Sequence, residues 1–203
     1  MFTIVAPLYT SWVYVVISYI DYIRNRKAYI TSELLPAAFD QLIQNVFVWI
    51  PLSLYLLLVA YPSNISIRQW HVEIWMLVIE FIFGEIWFYS LHRLCHYKQF
   101  YFLHKKHHEI REPVGMLAFY ASPFEVTVMN AGNFIFTHII FNHSQFHIIA
   151  IITIGLLNTI LYSHSPTIKG PHTTHHRLHK LNFGHSLFMD RLLGTWLKPI
   201  KCN

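Results

Sequence analysis

Apolar residues gather in five long runs, with the charged residues pushed into the gaps between them. The runs cover roughly residues 4–23, 39–61, 70–91, 124–141 and 146–163. Each approaches the ~20 residues that a helix needs to cross a bilayer. The last two are shorter and are separated only by NHSQ, so they read as a tight hairpin of two full spans or as a shallow re-entrant pair. The pattern therefore predicts an all-α integral membrane bundle of four or five transmembrane helices. Trp12, Trp49, Tyr61 and Trp70 stand where aromatic side chains anchor helices at the interface.

Composition supports a lipid environment. Only 12% of the 203 residues are charged and 54% are hydrophobic, against about 25% charged in an ordinary soluble domain. The length suits a single domain over residues 1–203, with N-terminal spans to residue 70 and a histidine-rich catalytic region over 71–203. It leaves no room for a separate flavin, nicotinamide or haem module. The first run lacks a basic leader and a small-residue cleavage site, and reads as a retained span. Cys95 and Cys202 form no framework, and Cys95 reads as a small packed residue.

The net charge of +5 fits membrane flanks better than nucleic acid, and no nucleic-acid partner is expected. Threading the spans puts Arg24, Arg26 and Lys27, residues 92–123 and everything from His164 onward on one side. Every Lys and Arg except Arg68 then shares that side, which the positive-inside rule assigns to the cytosol. The N-terminus is expected to be lumenal and the C-terminus cytosolic. The sequons at Asn64 and Asn142 fall on the far side, which agrees with a lumenal face.

This threading, drawn from spans and basic residues, also collects histidines. His92 and His96 form an HxxxH pair, His104, His107 and His108 an HxxHH box, and His172, His175 and His176 a second HxxHH box. On a helix such spacings put two or more rings on one face, as ligands of one metal require. Eight histidines exceed the needs of one tetrahedral metal and point to two metals in a common pocket. Imidazole suits iron, zinc, copper and nickel. A lone histidine near a membrane is usually an interfacial or hydrogen-bonded group, and His71, His138, His143 and His147, at or near the far side, read that way. His179 and His185 read as neighbours of the site rather than ligands. Glu85 shares a helix face with His92 and His96 at 100° per residue. As an intramembrane acid it needs a partner or a function, and it is expected to hydrogen-bond a ligating imidazole. Glu80 lies off that stripe and has no assigned role.

EIWFYSLHRLCH, HKKHHE, PVGMLAFYASPFE, HTTHH and NFGHSLFMDRLLGT follow one another in that order. Together they resemble the fatty acid hydroxylase superfamily of membrane di-iron enzymes, which includes sterol desaturases and methylsterol monooxygenases. The resemblance runs from Glu85 to Thr195 and is nearest to methylsterol monooxygenases over PVGMLAFYASPFE. It implies that the eight box histidines are metal ligands, adds His164 as a ninth, and places Glu85 where the family usually has Asp. It also implies two iron ions, dioxygen as co-substrate, and hydroxylation or desaturation of a sterol or fatty acyl chain. A b-type cytochrome with a nicotinamide-dependent reductase would supply electrons. The membrane would be the endoplasmic reticulum in a eukaryotic host, or the cytoplasmic membrane in a bacterium. Two positions depart from the family, which commonly has His-Pro where Ser122-Pro123 stands and Gly where Pro166 stands. The rival reading is a metal transporter or a non-catalytic lipid-binding relative. A transporter places its ligands near mid-membrane, whereas these boxes lie at or beyond span ends.

Overall fold

The computed structural model describes residues 1–65, 68–167 and 171–197. Among them every regular element is a helix, and there is no β-strand. Helix α1 covers Phe2–Ile30, α2 Leu34–Ala60 and α3 Trp70–Cys95. Gly132–Phe141 forms the short α4 and Gln145–Ser163 forms α5. Beyond the membrane segments come α6, Pro171–Leu178, and α7, Phe188–Leu192. Helices α1, α2, α3 and α5 are long and apolar enough to span a bilayer, whereas α4 has only 10 residues. The all-α membrane bundle expected from the pattern is therefore present, with four full-length helices and a shorter fifth.

Helix α3 is amphipathic in the inverted sense. Glu73, Glu80, Glu85, Tyr89 and His92 are buried, while Trp75, Ile79, Phe81 and Ile82 are exposed. Apolar residues on the outside and acids on the inside make sense only if the outside is lipid, where an ionisable group must face the bundle. Local breaks have visible causes. At Asn25 α1 leaves helical geometry, and the Asn25 amide donates to the Asp21 carbonyl at 3.2 Å and to Asp21 Oδ1 at 2.9 Å. In α2 a π-turn over Asn45–Trp49 immediately precedes Pro51. The wider turn accommodates a ring that offers no N–H and crowds the preceding turn.

Between α4 and α5 the chain reverses at Asn142, whose φ of 48° ends α4 in the left-handed region. Ser144 caps α5 by accepting from the His147 N–H at 3.1 Å. This turn meets the α2–α3 connection through the isolated bridge between Asn64 and Ser144. At the other end of the bundle, short 3-10 turns over residues 101–119 join α6 and α7 as a cap. Asp21 of α1 fastens this cap by accepting from the Gly115 N–H at 2.9 Å, Tyr29 at 2.7 Å and Ser165 at 2.5 Å. The Asn45 amide does the same from α2, donating to the Phe119 and Ala121 carbonyls at 2.7 and 2.9 Å.

Candidate metal centre

Nine histidines converge beneath this cap, in two groups. His92, His96, His104, His108 and His175 form one, and His107, His164, His172 and His176 form the other; within each, one ligand atom per residue lies within 4.8 Å of all the others. These are the nine positions expected as ligands. The groups adjoin: the His104 and His107 ring centroids are 5.2 Å apart, those of His108 and His176 5.2 Å, and those of His172 and His175 5.5 Å.

Each box arrives on a different kind of backbone. His92 lies in the last turn of α3 and His96 is its C-cap residue. His172, His175 and His176 line the buried side of α6. The second box is not α-helical: His104 follows one 3-10 turn and His107 and His108 open another. The helix-face rule thus fails for HKKHH, and the convergence comes from tight turns instead. His164 is the residue at which α5 ends.

Backbone carbonyls fix the ring tautomers. His92 Nδ1 is 2.6 Å from the Phe183 carbonyl, His175 Nδ1 2.7 Å from Leu181, His176 Nδ1 2.8 Å from Ile110, and His164 Nδ1 2.9 Å from Thr159. A carbonyl only accepts, so each Nδ1 carries the hydrogen and each neutral ring leaves a lone pair on Nε2. The Nε2 atoms of His92, His104, His172 and His176 are buried without a hydrogen-bond partner. His164 and His107 bring their Nε2 atoms to 3.3 Å, and His175 and His108 to 3.2 Å. Converging lone pairs of this kind are the donor set of a transition-metal cation. Burial and the neighbouring rings hold these imidazoles neutral. The pKa of His96 and that of His164 are pushed down to about 4 and that of His175 to about 3, burial being the largest cause each time. Those of His104, His107, His172 and His176 are lowered well below the usual range by burial first and neighbouring histidines second.

Glu85 differs from expectation. It makes no hydrogen bond to an imidazole; its Oε2 accepts from the backbone N–H groups of His185 and Ser186 at 3.0 and 2.9 Å. The same helix face that groups it with His92 aims it at the 183–189 segment, whose Phe183 carbonyl takes the place beside His92. Asp190 reinforces that segment, accepting from Phe183 N–H at 2.8 Å, Gly184 N–H at 2.7 Å and the Thr195 hydroxyl at 2.7 Å. The DRLLGT ending therefore builds the support for a box histidine that lies some 90 residues earlier, the separation of His92 and Phe183 being 91.

Glu125 was not singled out by sequence reasoning. It is 2% exposed, with Oε2 2.8 Å from His104 Nδ1 and Oε1 3.5 Å from His107 Nδ1, so it touches one ring of each group. Its signal was an acid at the start of an apolar run. Ser122, at one of the departures from the family, accepts from the Glu125 N–H at 3.2 Å and donates to the Leu103 carbonyl at 2.6 Å. It thus caps the turn that carries Glu125. His179 approaches His108, with ring centroids 4.2 Å apart, and His185 stacks on Phe88 at 3.6 Å; neither joins a ligand group. His138, His143 and His147 stand at the opposite end, and His71 is exposed there.

Comparison with known proteins agrees with this geometry. A family model described as fatty acid hydroxylase matches residues 76–195. Methylsterol monooxygenase 1 of Danio rerio is 40% identical over 80 residues, 39% of this chain and 27% of the relative. That of Rattus norvegicus is 32% identical over 131 residues, 56% of this chain and 44% of the relative. Fatty acid hydroxylase domain-containing protein 2 of Homo sapiens is 30% identical over 140 residues, 66% of this chain and 42% of the relative. The matched part spans less than half the length of each of these relatives. No solved structure matches.

Proposed function

We propose, from the premise that this chain belongs to the fatty acid hydroxylase family, that it is a membrane di-iron oxygenase acting on a lipid C–H bond. One iron would be held by His92, His96, His104, His108 and His175, and the other by His107, His164, His172 and His176. When bound, two iron ions would supply, with dioxygen and external electrons, the oxidising power that no side chain here possesses. The rest falls to the chain. Carbonyls of Phe183, Leu181, Ile110 and Thr159 orient four rings. Glu125 steadies His104 and His107 together. Glu85 and Asp190 hold the segment that supports His92. Phe183 packs within 5.7 Å of His92, His96 and His175 and keeps water from that side.

The similarity to methylsterol monooxygenases favours a sterol, with a fatty acyl chain as second choice, and hydroxylation over desaturation. The site lies where the spanning helices end, so a substrate lying in lipid would present one carbon upward from the membrane. By the Lys/Arg distribution that face is cytosolic, in the endoplasmic reticulum of a eukaryotic host. A b-type cytochrome with its nicotinamide-dependent reductase would dock on the basic face around Lys98, Lys105 and Arg111, all exposed.

The observation that carries the reading is the set of inward Nε2 lone pairs in two adjoining pockets. A transporter would hold such ligands near mid-membrane. The test is anaerobic loading with ferrous iron followed by incubation with oxygen, a reductant and candidate sterols or fatty acids. Two irons per chain and an oxidised lipid are expected. Zinc retention with no oxidation after iron loading would overturn the reading.

A further inference from the structure

A third cluster of ligating side chains stands at the opposite end of the bundle, and nothing in the chemistry above uses it. Glu80 from α3, His143 from the α4–α5 turn and His147 from the first turn of α5 each place a ligand atom within 4.8 Å of the other two. They are 2%, 0% and 1% exposed. Glu73, on the same face of α3, adds a carboxylate oxygen 3.4 Å from His147 Nδ1. Glu80 precedes His92 by 12 residues of helix, about 18 Å along the axis at 1.5 Å per residue. The cluster is thus separate from the histidine boxes.

Its electrostatics are unfinished. Two buried carboxylates face one another's neighbourhood, and no Lys or Arg among the described residues makes an ion pair with either. Thr137 donates to Glu80 at 2.6 Å and the Arg68 backbone N–H to Glu73 at 3.1 Å. These hydrogen bonds bring no cationic partner to either carboxyl group. The two imidazoles could each take a proton, but their rings are stacked 4.1 Å apart at 16°. Two unit positive charges at that separation repel by about 4 kcal/mol at an effective dielectric of 20. Neutral rings remove the repulsion but leave His147 Nε2 without a partner and Nδ1 with only the 3.4 Å approach of Glu73 Oε2. A neutral imidazole has one donor and one acceptor to satisfy. Partnerless, buried ring nitrogen is also what marks His92, His104, His172 and His176 beneath the cap.

We propose that Glu80, His143 and His147, assisted by Glu73, bind a divalent cation, for which zinc is the best match. Two imidazoles with carboxylate oxygen form a common zinc donor set, and two carboxylates balance its charge. The ion would tie α3 to the α4–α5 turn and serve as a structural clamp at the end remote from oxidation.

The test uses the full chain in lipid nanodiscs, loaded anaerobically with ferrous iron, then titrated with zinc, desalted and analysed for both metals. Wild type is expected to hold one zinc per chain beyond the metal in the boxes. Glu80→Gln and His147→Gln should lose that equivalent with iron content unchanged. The difference between wild type and Glu80→Gln is read whatever metal the boxes hold, so failure of the di-iron reading does not obscure it. Zinc-edge absorption of wild type should show two imidazoles with oxygen. Zinc should also raise the melting temperature of wild type and leave that of Glu80→Gln unmoved. Wild type without the extra zinc, a zinc edge without imidazole, or full retention in both variants overturns the proposal. If the variants do not fold, the wild-type stoichiometry and edge decide.

Discussion

Glu125→Gln tests how the protein orients its imidazoles. Glu125 sets Oε2 2.8 Å from His104 Nδ1 and Oε1 3.5 Å from His107 Nδ1, one ring from each group, so that with metal bound an ionised Glu125 would accept from both. Glutamine keeps the shape but replaces one acceptor with an NH2 donor. The ring facing that donor must present a lone pair on Nδ1, so as a neutral imidazole it carries its hydrogen on Nε2 and ceases to be a ligand. The other ring keeps its carbonyl-type acceptor and its function. One pocket is therefore damaged and the other spared. Changes to groups that orient metal ligands cost 10–100-fold in affinity, or about 1.4–2.8 kcal/mol at 1.4 kcal/mol per tenfold. The assay is iron per chain by elemental analysis after anaerobic loading, with stepwise chelator competition. The expected result is one tight and one weakened iron and a large loss of lipid oxidation. Glu112→Gln is the control, because that side chain is 74% exposed and pairs with Arg177 at the surface. Two irons of unchanged affinity in Glu125→Gln, with full turnover, would refute the orienting role.

Gly184→Ala should destabilise the protein by about 1–3 kcal/mol, the usual cost of overpacking, because a Cβ there collides with Glu85 Oε1 and comes within 3.0 Å of Asp190 Oδ2; thermal melting checks it, and iron affinity should fall with it. The metal-free protein should lose stability on acidification. Folding lowers the pKa of His96 and that of His164 to about 4 and that of His175 to about 3, while unfolded histidine titrates near 6.5. The unfolded chain therefore binds more protons below about 6.5, and stability falls as pH drops from there toward 4, by up to about 1.4 kcal/mol per pH unit for each such ring. Denaturant melts at pH 7 and pH 5 measure it, and equal midpoints would contradict the burial. For topology, cysteines placed at Ile65 and Glu112 in a cysteine-free background should label from opposite sides of sealed vesicles; labelling from one side would overturn the threading.

Much of the site was legible because histidines make it up and their spacing is visible. The apolar runs and the basic flanks alone put all nine on one membrane face. What was not legible depended on backbone. The helix rule applies to His92 and to α6, but HKKHH folds as 3-10 turns, and their convergence follows from contacts such as Asn45 with Phe119 and Ala121. Glu85 was grouped with His92 by helix phase, yet phase says only which way a side chain points, and three backbone N–H groups compete for its oxygens, that of Met189 at 3.4 Å being the third. Carbonyl partners such as Phe183 and Ile110 carry no side-chain signature at all. Glu125, Glu80, His143 and His147 were readable as residues, but their neighbours come from distant segments: Thr137, which bonds Glu80, is 57 positions away.

The central claim is that the two histidine groups bind two metals in one catalytic centre. The most direct measurement is iron content and lipid oxidation of His107→Ala and His175→Ala beside wild type, after anaerobic ferrous loading and exposure to oxygen with a reductant. His107 belongs to one group and His175 to the other. The account predicts two irons in wild type, loss of about one in each variant, and abolished oxidation in both. Retention of two irons and full oxidation by either variant would contradict it.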